Sequence, residues 1–142
     1  MKKVYFACSI SGGRDHAHVY EDIVKYIKAS GGQVLSKIFA DKTMQSHLGP
    51  TPHLSTQEIW ERDTNWAENA DVVIAEVTQT SLGVGYEIGK AELAGKPILA
   101  LFYEDSGKRL SPMIDGNPNV TVVRYRKISE TESVIKKFLG KV

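Results

Sequence analysis

Two runs, DVVIAEV over residues 71–77 and KPILALFY over 96–103, are apolar at nearly every position and bounded by turn formers. A strand with one face in water alternates apolar and polar residues, whereas a run without alternation fits a strand covered on both faces, as in a parallel sheet. Parallel neighbours need a long crossover, and the stretch from about Gly83 to Leu93 has the length of a helix. The same unit recurs along the chain. VYFACSI (4–10) predicts a first strand ending at SGGRD, after which Val19, Ile23, Tyr26 and Ile27 repeat at helical spacing up to Gly31 and Gly32. QVLSKIF (33–39) predicts a second strand, and DKTMQSHLGPTPH (41–53), with Gly49, Pro50, Pro52 and no period, predicts a long surface loop of the kind that often serves as a lid. Ser55 and Glu58 have the spacing of a capping box before a helix reaching about Asn69. NVTVVRY (119–125) is the last predicted strand, and Ser129 with Glu132 a second capping box, opening a terminal helix that buries Val134, Ile135, Phe138 and Leu139.

Strands alternating with helices predict an α/β fold with a five-stranded parallel sheet, right-handed crossovers and helices on both faces. The expected order is 2-1-3-4-5, which makes neighbours of the loops after strands one and three, SISGGR and TQTSLGVGYE, at the switch point where ligands bind. A chain of 142 residues, 42% hydrophobic, is expected to form one domain over residues 1–142. Eighteen basic against seventeen acidic residues leave a formal charge of +1, so no overall field draws the chain to nucleic acid or an anionic membrane, and a small ligand is expected. The single cysteine, Cys8, excludes an internal disulfide and fits a reducing compartment, the cytoplasm. The apolar part of MKKVYFACSI is too short for a signal peptide, and no run approaches a bilayer span.

Glycines and serines at a strand-to-helix turn let backbone N–H groups approach an anion, and the helix dipole adds favourable charge. Ser9, Ser11, Gly12, Gly13 and Arg14 could hold a phosphate in this way, as could Ser81 with Gly83 and Gly85. Turn geometry alone also accounts for those glycines. Neither GxGxxG nor GxxxxGK[ST] spacing occurs, so dinucleotides and nucleoside triphosphates are not indicated. Glu87, at a helix start, has a plain reading as an acid favoured by the dipole. Asp63 argues for more, because it shares the apolar stripe of Ile59, Trp66 and Ala70, where an inward carboxylate is costly unless something pairs with it or uses it. An apolar tryptophan wall would favour its protonated form, and one protonated with one ionised carboxyl is what glycosidic cleavage requires. Cys8 could touch the ligand or simply pack. His16, His18, His47 and His53 lack metal-ligand spacing, so no metal site is expected, and no Gly-x-Ser-x-Gly elbow occurs.

YFACSISGGR (5–14), Tyr20, the Asp63 helix and above all ADVVIAEVTQTSLGVGYEIGKA (70–91) resemble the 2'-deoxynucleoside 5'-phosphate N-hydrolases, a branch of the nucleoside 2-deoxyribosyltransferase superfamily. The likeness runs over nearly the whole chain, and LSPMIDG (110–116) is similar to the segment with which that family reaches into a partner's site. It implies a flavodoxin-like (Rossmann-like) fold, a homodimer, no cofactor, and hydrolysis of a deoxynucleoside monophosphate to free base and 2-deoxyribose 5-phosphate. Matched by position, Glu87 is the nucleophile, Asp63 its acid partner and Tyr5 a supporting tyrosine. Cys8, Ser9, Ile10, Ser11, Gly12, Gly13, Arg14, Tyr20, Ser81, Gly83 and Gly85 fall in the ligand-binding stretches, and Ser111, Pro112 and Met113 in the stretch contributed across the dimer.

Overall fold

The computed structural model describes residues 1–9, 17–36 and 54–142. Five strands, β1 (Lys2–Ala7), β2 (Gly32–Val34), β3 (Val72–Glu76), β4 (Ile98–Tyr103) and β5 (Val120–Tyr125), form one parallel sheet in the order β2-β1-β3-β4-β5. The helices are α1 (Ala17–Ala29), α2 (Thr56–Asn69), α3 (Leu82–Leu93), the short α4 (Pro112–Asp115) and α5 (Glu130–Lys141). This is the Rossmann-like α/β architecture that the alternation of segments predicts. All five residues of β3 and the first five of β4 are buried, as their unbroken apolar runs require.

Local chemistry sets the element ends. Gly32 is held against α1, since a Cβ there would stand 2.6 Å from Ile27 Cγ2 and 3.0 Å from Ile27 O. Strand β2 is shorter than the predicted 33–39: after Leu35 N donates to Val4 O at 2.9 Å, the Ser36 side chain takes over the pairing. Its Oγ accepts from Phe6 N at 3.0 Å and donates to Phe6 O at 2.8 Å. The end of that expected strand, residues 37–39, and the loop 41–53 lie outside the described residues.

The first capping box forms as its spacing predicts, with Glu58 N donating to Ser55 Oγ at 3.1 Å and Ser55 N to Glu58 Oε1 at 3.2 Å. The second does not. Ser129 has helical φ and ψ of −59° and −25° and makes no side-chain cap, because turn-like bonds from Glu130 N to Lys127 O and from Thr131 N to Ile128 O already precede α5. Glu130 reaches back instead, accepting from Arg126 N at 3.1 Å. Helix α5 buries Ile135 and Leu139 as expected and also Thr131, while Val134 and Phe138 are half-buried against the core.

Candidate active site

Strand β3 delivers the chain to a turn that ends at Ser81, the N-cap of α3, whose Oγ accepts from Val84 N at 3.3 Å. Side chains on a helix lean toward its N-terminus, so Glu87 folds back over the first turn of α3. A Cβ on Gly83 would lie 4.0 Å from Glu87 Oε1 and 3.9 Å from Ser81 Oγ, in ordinary contact with both. Tyr5, fully buried in β1, feels the charges of Glu87 and Asp63 alike, so residues from β1, α2 and α3 converge on one point. A cleft of about 270 Å3 between α2 and α3 is lined by both carboxylates together with Trp60, Tyr86 and Lys90.

Burial raises the Glu87 carboxyl to about 7; the Tyr5 phenol pulls it down and the charge of Asp63 pushes it up. Burial also raises Asp63, but Arg62 holds it lower, with Nε donating to Asp63 Oδ1 at 2.9 Å. The charge of Asp63 is among the causes that raise Glu87, so the two carboxyls titrate as a coupled pair. The rise at Asp63 is in the direction expected of an apolar wall, and the Trp66 ring also carries the Arg62 guanidinium, 4.9 Å from its centroid. Burial, reinforced by the charges of Glu87 and Asp63, drives the Tyr5 phenol well above the ordinary tyrosine value, so it stays a neutral donor.

Arg62 is the contributor that stripe reasoning missed. Residues adjacent in a helix do not share a face, so the pattern that exposes Asp63 hides its neighbour; the available signal was the four-residue spacing of Arg62 and Trp66.

Of the remaining expected residues, Cys8 and Ser9 are buried at the end of β1, and the Ser9 hydroxyl has no hydrogen-bond partner among the described residues. Tyr20 is buried on α1, edge-on to Phe6 at 6.1 Å between ring centroids. Ser111 caps α4, accepting from Met113 N at 3.2 Å, with Pro112 opening that helix and Met113 79% exposed. Ser111 and Met113 line a second groove, of about 410 Å3, together with Ser81, Gly85 and Arg109 of the same chain. Ile10, Ser11, Gly12, Gly13 and Arg14 lie outside the described residues, as do His16, His47 and His53. No described helix is long and apolar enough to cross a membrane.

The sequence model of the family described as nucleoside 2-deoxyribosyltransferase matches residues 4–120. A 5-hydroxymethyl-dUMP N-hydrolase of Rattus norvegicus is 50% identical over 113 residues, covering 80% of this chain and 68% of that protein. The protein of the same name from Tetraodon nigroviridis is 43% identical over 143 residues, covering 97% of each. Among solved structures, a CMP N-glycosidase of Clostridium botulinum superposes with a TM-score of 0.67 at 20% identity over 96% of this chain and 99% of that one, a likeness of fold.

Proposed function

Because this chain belongs to the nucleoside 2-deoxyribosyltransferase family, we propose that it hydrolyses the N-glycosidic bond of 2'-deoxynucleoside 5'-monophosphates, releasing the free nucleobase and 2-deoxyribose 5-phosphate. The observation that carries this reading is the meeting of Glu87, Asp63 and Tyr5, in which two part-buried carboxyls, both raised by burial, lie beside a buried phenol. With substrate bound, Asp63 carries a proton and Glu87 is ionised, favoured by the positive charge developing at C1' beside Glu87. Ionised Glu87 attacks C1' through an oxocarbenium-like transition state, the C1'–N bond breaks with its electron pair going to the base, and Asp63 protonates the base. Water, deprotonated by Asp63, then attacks the glycosyl ester and returns Glu87. No metal or cofactor takes part. The missing 2'-hydroxyl makes the cation easier to reach, so deoxynucleotides react fastest.

The N-terminus of α3 with Ser81, and the buried hydroxyl of Ser9, supply donors suited to the 5'-phosphate. The chain acts as a homodimer in which Ser111 and Met113 reach the neighbouring site. The nearly fully exposed Leu82 and the exposed Met113, beside the second groove, are apolar surface that such a contact would cover. The names of the rat and Tetraodon relatives put 5-hydroxymethyl-dUMP first among substrates to try. The family's own description favours a second reading, base exchange, in which another nucleobase intercepts the glycosyl ester.

The test is a panel of deoxynucleoside and ribonucleoside monophosphates and the corresponding nucleosides, scored chromatographically for free base with and without an added second base. Base release confined to deoxynucleoside monophosphates, with no new nucleotide, is expected. A new nucleotide supports exchange, and no release from any substrate removes the enzymatic reading.

A further inference from the structure

One buried carboxylate takes no part in this chemistry. Glu76, the last residue of β3, is 1% exposed and has no cation within ion-pairing distance among the described residues. Strand pairing places it away from the Glu87 cluster. Phe6 pairs with Ile74, Glu76 with Leu101 and Tyr103 with Tyr125. Alternation along each strand therefore puts Glu76, Tyr103 and Tyr125 on the face of Phe6, opposite that of Tyr5. A carboxylate in such a place is costly unless its acceptors are used, and these are. Oε1 accepts from Thr78 N at 2.7 Å and Oε2 from the Tyr125 hydroxyl at 3.1 Å.

These bonds fasten the backbone that leads to the site. Thr78 Oγ1 in turn accepts from Tyr103 N at 2.8 Å, and Val77 N donates to Leu101 O at 2.9 Å, so residues 77 and 78 are tied to β4 and, through Glu76, to β5. Only Gln79 and Thr80 separate this anchor from Ser81, and Lys108 hydrogen-bonds the side chain of Gln79. Ser81 in turn sets the first turn of α3, where Gly85 N donates to Ser81 O at 3.1 Å. Burial raises the Glu76 carboxyl while its donors at Thr78 and Tyr125 draw it back, as expected of an acceptor held for its hydrogen bonds.

We infer that Glu76 is a positioning residue: from the far face of the sheet its carboxylate fixes the turn between β3 and α3, and so holds Ser81 and the helix N-terminus where the 5'-phosphate of the substrate is bound. The inference rests on the proposed hydrolase activity for its kinetic consequence, but not for its structural one. Relaxing the turn displaces Ser81 more than Glu87, which is seated farther into the helix, so the loss falls on KM more than on kcat.

The test compares the full-length wild type with Glu76→Ala, Glu76→Gln, Tyr125→Phe and Thr78→Val by steady-state kinetics on a deoxynucleoside monophosphate and by amide hydrogen exchange over residues 77–85. Glu76→Ala leaves Thr78 N and the Tyr125 hydroxyl unsatisfied and should raise KM about tenfold, with kcat changed by less than about threefold. Tyr125→Phe and Thr78→Val should move KM the same way by a smaller factor. Glu76→Gln, which keeps an oxygen toward Thr78 N, should stay within about twofold of wild type. Exchange at Thr78 and Val84 should accelerate in the first variant and not in the glutamine one. Wild-type KM and exchange in a folded Glu76→Ala protein overturn the inference, as does a glutamine variant as impaired as the alanine one. If Glu76→Ala does not fold, Tyr125→Phe and Thr78→Val decide by the same two readouts. If the wild type hydrolyses no nucleotide, the functional reading fails, and exchange alone still judges the positioning role.

Discussion

At the scale of single residues, the proposed mechanism turns on where one proton sits. Tyr5 favours the ionised form of Glu87, and Arg62 that of Asp63. In the proposed mechanism the competent pair holds one proton, so kcat/KM should be bell-shaped in pH, with its basic limb near 7, where Glu87 ionises in the free enzyme. Replacing Tyr5 by Phe removes a donor to ionised Glu87 and raises its pKa, so the basic limb should move to higher pH. Arg62→Gln raises Asp63 and should move the acid limb upward instead. A pH profile of kcat/KM for the two variants checks both signs; a Tyr5→Phe limb that moves to lower pH contradicts the arrangement. The carboxylates themselves were legible in the sequence, Asp63 because it interrupts an apolar stripe and Glu87 because it follows a glycine turn after a buried strand. Their surroundings were not, since the hold of Arg62 on Asp63 and the burial of Glu87 beside Tyr5 of β1 arise only in the folded chain.

At the scale of elements, Asp63 rides on a helix with no fully buried residue, so α2 depends on its ends more than on its packing. Its N-terminus has the Ser55 capping box. Its C-terminus is closed by Lys96, at the entry to β4, whose Nζ donates to Ala67 O and Glu68 O, each at 2.7 Å, and to Ala70 O at 2.6 Å. A cation at the carbonyl end also complements the helix dipole. Lys96→Met, which keeps the aliphatic stem, should destabilise the protein by about 1–3 kcal/mol and speed amide exchange in the last turn of α2. Unchanged exchange there would show that the bridge contributes nothing. The capping box could be read from Ser55 and Glu58 because a helix start is a local matter; Lys96 could not, because its carbonyl partners lie more than twenty-five residues away in sequence. The same distinction explains the Ser129 box, correct in spacing but displaced by a turn that begins earlier.

At the scale of the whole molecule, the sheet order follows from the alternation of strands and helices and from the handedness of crossovers, and it was legible throughout. Glu76 was not: within DVVIAEV it reads as a lone acid in an apolar run, and its partner Tyr125 is forty-nine residues away. Whether sites are completed between chains is a question of assembly. Mixing inactive Glu87→Ala chains with weakened Ser111→Ala chains under subunit exchange should restore activity, since a heterodimer would hold one site with Glu87 from one chain and Ser111 from the other. No recovery in a mixture shown to contain heterodimers would refute sharing. Turnover by the intact protein depends on every part of this construction, and its first covalent event can be observed. A single turnover of 5-hydroxymethyl-dUMP, or of the deoxynucleotide found to react fastest, quenched in acid and mapped by peptide mass, should give a transient 2-deoxyribose 5-phosphate ester on Glu87. Glu87→Gln should give neither the ester nor free base, while base release by that variant at near wild-type rate, or an ester on any other residue, would contradict the assignment of Glu87 as nucleophile.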